Sequence, residues 1–154
     1  MATREGILLR NKGTNNILLA RATGRKPPFC WDIIKGHLEE NEEPIKGLIR
    51  EVKEECGLDI SNDNITFIGD YPYVKGDTLK VYYLEKDIPI DQLYCDSYFT
   101  DPYTGKQKPE MDGFLYFNFS KDNLEKSYVY KTLKVVLKDA FSKLEVYEWQ
   151  KMKF

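Results

Sequence analysis

Histidine occurs once in the 154 residues, at His37, and cysteine only three times, at Cys30, Cys56 and Cys95. No CxxC pair is present, so zinc-finger and thiol-redox frameworks are excluded. An odd set of widely spaced thiols points to reduced, buried cysteines in a cytoplasmic protein, not to a disulfide scaffold. No apolar run approaches the roughly 20 residues needed to span a bilayer, and no membrane partner is expected. The first residues, MATREGILLRNKG, carry charges throughout and lack the apolar core of a secretion signal. Net charge is only −2 and the pI about 5.6. That excludes a broad basic footprint for nucleic acid, though a local one remains open. Repeats, low-complexity tracts and linkers are absent, so one domain over residues 1–154 is expected.

What is present reads as a globular chain. Hydrophobic residues make up 42% and charged residues 31%, enough to build a core. Residues 5–10 (EGILLR) and 16–20 (NILLA) read as strands, and the NKGTN between them predicts a hairpin. Residues 21–30 (RATGRKPPFC) form a loop broken by Gly24, Pro27 and Pro28. Its Arg21, Arg25 and Lys26 suit a solvated loop or a phosphate clamp. Trp31 to Ile34 is a short apolar run. Residues 65–73 and 78–84, rich in aromatic and β-branched types, predict strands, as does the alternation over 113–119. Residues 87–96 read as irregular and 101–109 (DPYTGKQKP) as a surface loop. Val129, Leu133, Val136, Leu137, Ala140, Phe141 and Leu144 recur at helical spacing. Strands mixed with two long helices in a small domain mean α/β or α+β.

The stretch from Gly36 to Leu58 is the densest in chemistry. Pro44 suits a first helical turn and Gly57 the left-handed position beyond the last, so a helix over 44–56 is predicted. Ile45, Leu48, Ile49, Val52 and Cys56 form its apolar stripe. At about 100° per residue, Glu51 and Glu55 project side by side at the stripe's edge, with Glu54 further round. This breaks two local rules. Like charges at i, i+4 repel, and acids near a helix C-terminus are disfavoured by about 0.3–1 kcal/mol each. A divalent cation would reverse both penalties, and hard oxygen ligands suit Mg2+. The alternative is a solvated acidic face.

The same stretch resembles the Nudix box, G-x5-E-x7-R-E-U-x-E-E-x-G-U with U a bulky aliphatic residue. Every defined position matches: Gly36, Glu42, Arg50, Glu51, Val52, Glu54, Glu55, Gly57 and Leu58. Trp31 and Lys35-Gly36-His37-Leu38-Glu39 are similar to the W-x-x-P-K-G-H-x-E run of Nudix enzymes acting on dinucleoside polyphosphates and diphosphoinositol phosphates, with Ile34 in place of the proline. Lys80-Val81-Tyr82-Tyr83-Leu84 resembles a strand of the asymmetric diadenosine tetraphosphate hydrolases. Segment 95–110 is longer than in those enzymes. The resemblance implies an α/β/α Nudix sandwich with a mixed sheet between helices. It also implies Mg2+- or Mn2+-dependent hydrolysis of a nucleoside diphosphate linked to another group.

Roles follow from that resemblance. Glu51 and Glu55 are the leading metal ligands, with Glu54 as ligand or general base and Arg50 orienting the acids through a bidentate contact. Glu42 either supports metal binding or favours the helix start. Gly36 exposes a backbone carbonyl to the metal. Glu110 is a further ligand or base, or an ordinary loop acid. Lys35 contacts a phosphate as a point charge. His37 is structural or hydrogen-bonds a phosphate. Tyr71, Tyr73 and Tyr83 stack on a base or pack in the core. Small-molecule nucleotide polyphosphates are the expected substrates, dinucleoside polyphosphates or nucleoside triphosphates first. ADP-ribose, diphosphoinositol phosphates and RNA 5′ ends are alternatives, as is a domain that binds a nucleotide without cleaving it.

Overall fold

The computed structural model describes residues 2–28, 30–126 and 129–151. Its centre is a mixed seven-stranded sheet. Strand β1 (Thr3–Arg10) runs parallel to β6 (Thr78–Glu85) from Thr3↔Thr78 to Arg10↔Glu85. Strand β5 (Thr66–Pro72) lies antiparallel on the outer side of β6. On the other flank, β2 (Asn16–Ala22) pairs antiparallel with β9 (Met111–Asn118) and with the short β3 (Trp31–Asp32). Strand β4 (Ile34–His37) pairs with β1 from Arg4↔His37 to Ile7↔Ile34.

The period-2 alternation of these strands sorts the core into two layers. Ile7, Leu9, Leu18, Ala20, Ile34, Tyr82 and Leu84 face one side. There they pack against Leu48, Val52 and Cys56 of helix α1 (Pro44–Cys56). Leu8, Ile17, Leu19, Leu79, Val81 and Tyr83 face the other, under Leu133, Val136, Leu137, Ala140, Phe141 and Leu144 of helix α3 (Lys131–Lys151). The fold is therefore an α/β/α sandwich with a mixed sheet, as expected. Helix α1 matches its predicted limits. Pro44 opens it, and Gly57 closes it at φ 79° with its N–H donating to Lys53 O.

Three local readings are revised. β1 and β2 share a turn, but they pair only at Arg10↔Ile17, because β4 enters beside β1 and separates them. The 101–109 segment is not all loop. Tyr98–Thr100 (β7) and Gln107–Pro109 (β8) form a two-stranded hairpin. Asp101 closes its turn by accepting Tyr103 N–H and Thr104 Oγ1–H and by pairing with Lys108 Nζ at 2.7 Å. A short helix α2 (Lys121–Lys126) precedes α3, and Val129 stands outside α3 in a bridge to Trp31.

Candidate active site

Helix α1 lies over β4, and this placement buries the acids of its inner edge. Glu51 is 9% and Glu55 4% exposed. Glu51 rests directly on Gly36: a Cβ at that position would stand 1.9 Å from Glu51 Cδ. Glu55 Oε2 accepts the Lys35 backbone N–H at 3.3 Å. Burial raises both carboxyl pKa values, that of Glu55 to about 8. Arg50 opposes the rise at Glu51 and Lys35 at Glu55. Glu110, between β8 and β9, adds to the negative field at both acids. Its backbone is fixed by Glu110 N–H to Ser97 O at 2.8 Å and Thr23 N–H to Glu110 O at 2.9 Å.

Arg50 ties the acids together. Its Nε and Nη2 donate to the two carboxylate oxygens of Glu42 at 2.8 and 2.9 Å, a bidentate fork. Nη1 donates to Glu51 Oε1 at 3.0 Å and Glu54 Oε2 at 3.2 Å, and Nη2 to His37 O at 3.1 Å. The fork, joined by the Glu39 N–H, holds the Glu42 carboxyl down to about 2. Glu42 thus serves as the anchor for Arg50 and braces the chain entering α1. Glu54 is the open acid of the group, its side chain 41% exposed.

Among the described residues, no three acidic, histidine or cysteine side chains converge as they stand into a ready metal cage. Arg50 is bonded to three of the acids instead. The donor set nonetheless suits a hard divalent cation: it is all oxygen, and Glu55 is a buried carboxylate with one long hydrogen bond. Glu51, Glu55 and the Gly36 carbonyl would hold such an ion, with Glu54 and Glu110 beside them.

A family model described as NUDIX domain matches residues 3–129. The chain belongs to the Nudix family. Membership with an intact box makes it a pyrophosphohydrolase. Comparison with curated proteins gives no significant match. Among solved structures, the Nudix chain is similar to a Caenorhabditis elegans Ap4A hydrolase, with a TM-score of 0.61 at 19% identity over 95% of this chain and 98% of that one. It is also similar to the Bacillus subtilis pyrophosphohydrolase BsRppH, with a TM-score of 0.63 at 19% identity over 96% and 84%. The NUDIX domain of Shewanella oneidensis NrtR, complexed with ADP ribose, superposes with a TM-score of 0.65 at 12% identity over 94% and 88%. At these identities the likeness is one of fold.

The remaining predicted residues divide by face. Lys35 Nζ stands 3.2 Å from Asp32 Oδ2, and Asp32 also accepts the Tyr73 hydroxyl. Lys35 is thus next to the Nudix acids through its backbone, while its charge is engaged by a buried aspartate. The Tyr73 ring packs between Arg4, Lys35 and Tyr130. His37 Nε2 is 3.9 Å from Asp77 Oδ2, an aspartate also bonded to Arg4, and its side chain is 55% exposed. Tyr71 and Tyr83 are not brought to the acids. Their strand parity turns them into the layer beneath α3, where Tyr71 Oη donates to Asp139 at 2.5 Å and Tyr83 Oη to Glu85 at 2.7 Å. Of the two roles expected of Tyr71 and Tyr83, core packing is the one their burial fits.

Two acids were missed. Asp32 organises Lys35 and Tyr73. Glu5 lies on β1 in line with Ile7 and Leu9, fully buried, and its charge sits in an apolar alternation that could have revealed it. Burial pushes its carboxyl up to about 7. A pH dependence follows for the metal-free Nudix chain. Glu55 and Glu5 bind protons more tightly folded than unfolded, so their contribution is full below about pH 4.5 and is lost as pH rises through about 7 to 8. Glu42 acts in the opposite sense, losing its contribution as pH falls through about 2. Urea midpoints in EDTA should therefore fall between pH 5 and 8, and Glu55→Gln should flatten that slope. A midpoint that rises across this window contradicts the placement of the two buried acids.

Proposed function

We propose that this protein hydrolyses a phosphoanhydride bond in a dinucleoside polyphosphate or a nucleoside triphosphate, with Mg2+ or Mn2+ as cofactor. The observation that carries the reading is the buried Glu51–Glu55 edge of α1, seated on Gly36 and braced by the Arg50–Glu42 fork. A bound divalent cation supplies charge neutralisation for the polyphosphate and acidifies a water. Glu51 and Glu55 hold that charge in place on a rigid helix. Glu54, exposed at the rim, accepts the proton of the attacking water. The water oxygen bonds to phosphorus as the bridging oxygen–phosphorus bond breaks, and the leaving phosphate takes the bond electrons. Arg50 keeps the acids in register throughout, and Glu110 adds a carboxylate from the β8–β9 junction.

The preference for dinucleoside polyphosphates rests on the Lys80–Leu84 strand and the Lys35–Glu39 run. Comparing kcat/KM across dinucleoside polyphosphates, nucleoside triphosphates, ADP-ribose, diphosphoinositol polyphosphates and 5′-triphosphorylated or capped RNA tests it. Highest turnover is expected on the first two classes. Turnover of ADP-ribose alone overturns the preference, and ligand-induced stabilisation without turnover on any substrate makes the protein a nucleotide-binding domain instead.

A further inference from the structure

Glu5 is the sole buried acid among the described residues whose two carboxylate oxygens both lack a hydrogen-bond partner. Each of the other five has one. Asp32 accepts from Ile33 N–H and Tyr73 Oη, Glu51 from Arg50, Glu55 from Lys35 N–H, Asp77 from Ala2 N–H and Asp101 from Tyr103 N–H. Its position is not accidental in the sheet. On β1 it stands opposite Gly36 of β4 and Lys80 of β6. Gly36 is the residue on which the Glu51 carboxylate rests. Glu5 is thus the β1 ladder partner of the glycine on which Glu51 rests, and the charges of Glu42 and Glu51 both act on it.

A charged carboxylate at such a position is strongly disfavoured unless something offsets it. Lys80 does not do so through a direct bond. Its ammonium is 3.0 Å from Asp70 Oδ1 and lies over the Phe67 ring. Yet β1 would accept an apolar residue there, as it does two and four residues later at Ile7 and Leu9. A multivalent cation beside Gly36 would turn the penalty into an attraction.

Resting on the proposed function's cation site, we propose that Glu5 is a further carboxylate of that site, facing the bound divalent ion from the sheet side directly or through one of its waters. It is a feature of this chain's β1, outside the box, and it raises the negative charge available to the ion beyond that of the helix acids.

The test is Mn2+ titration of the full chain, read by calorimetry and by the electron paramagnetic resonance of free Mn2+, with no substrate present. Glu5→Gln preserves shape and removes charge. Glu5→Ala asks the same question with a small side chain that leaves no polar group buried at that position. Both variants should melt cooperatively in EDTA, bind Mn2+ about 10- to 100-fold more weakly than the wild type, and lose most of the Mn2+-induced rise in Tm. Wild-type Mn2+ affinity in either folded variant overturns the inference. Glu55→Gln, run beside them, separates the two claims. If Glu55→Gln loses Mn2+ while the Glu5 variants keep it, only the role of Glu5 falls. If Glu55→Gln also binds as wild type, the cation site itself is misplaced.

Discussion

Glu54→Gln and Glu55→Gln each lower Mg2+-dependent hydrolysis of the preferred polyphosphate by about 10²- to 10⁴-fold, and they do so for different reasons. Glu55 is buried against β4, so its glutamine variant withdraws charge from the place where a cation would be held. The expected signature is weakened Mn2+ binding together with lost activity. Glu54 has an open carboxylate, 41% exposed at its side chain, which accepts a hydrogen bond from Arg50 Nη1 at 3.2 Å. Its glutamine variant should keep most of the Mn2+ affinity and lose kcat. Neither change should unfold the chain. Gln is nearly isosteric with Glu, and at position 55 it also removes a carboxyl whose ionisation burial disfavours. Full activity in both variants would refute the catalytic assignment. Equal loss of Mn2+ binding in both would make Glu54 a ligand and leave the base to be found, with Glu110 next in line.

The parts of this fold that were legible in the sequence are those whose causes are local. Helix α1 carries its own start at Pro44, its own stop at Gly57 and a stripe at 3.6-residue spacing, so its limits could be read directly. The strands β5 and β6 announced themselves by β-branched and aromatic content, and β9 by its alternation. What could not be read depends on partners distant in sequence. The separation of β1 from β2 is caused by β4, a four-residue strand whose sequence, IKGH, has no strand signature. The β7–β8 hairpin is polar and largely exposed, so it buries no pattern to betray it. Tyr71 and Tyr83 could not be assigned to a face until the helix covering that face was known, since alternation gives two faces without saying which is which. The box acids were legible as a cluster by helical spacing. That Arg50 would clamp Glu42, eight residues away and outside the helix, required the chain entering α1 to fold back.

Gly36→Ala separates the shape of the site from its chemistry, because it adds a methyl group and removes no charged atom. The added Cβ would lie 1.9 Å from Glu51 Cδ, 2.3 Å from Oε2 and 2.4 Å from Cγ. None of these distances is tolerable, and Glu51 must swing away. The backbone of β4 has no need of glycine for its conformation: Gly36 does not have a positive φ and pairs regularly with Glu5. The variant should therefore fold, its β1–β4 ladder intact, with the Glu51 carboxylate displaced. Misplacing a catalytic group by about 1 Å costs on the order of 10²-fold, so a loss of at least that size in kcat/KM is expected, with Mn2+ affinity falling in parallel. A double variant, Gly36→Ala with Glu51→Ala, clears Cγ, Cδ and Oε2 from the added methyl and should bind Mn2+ no more weakly than Glu51→Ala alone. Non-additivity of that kind would tie the glycine to the space that Glu51 occupies. A Gly36→Ala protein that is folded, fully active and normal in Mn2+ binding would mean that Glu51 has no fixed position in the working site.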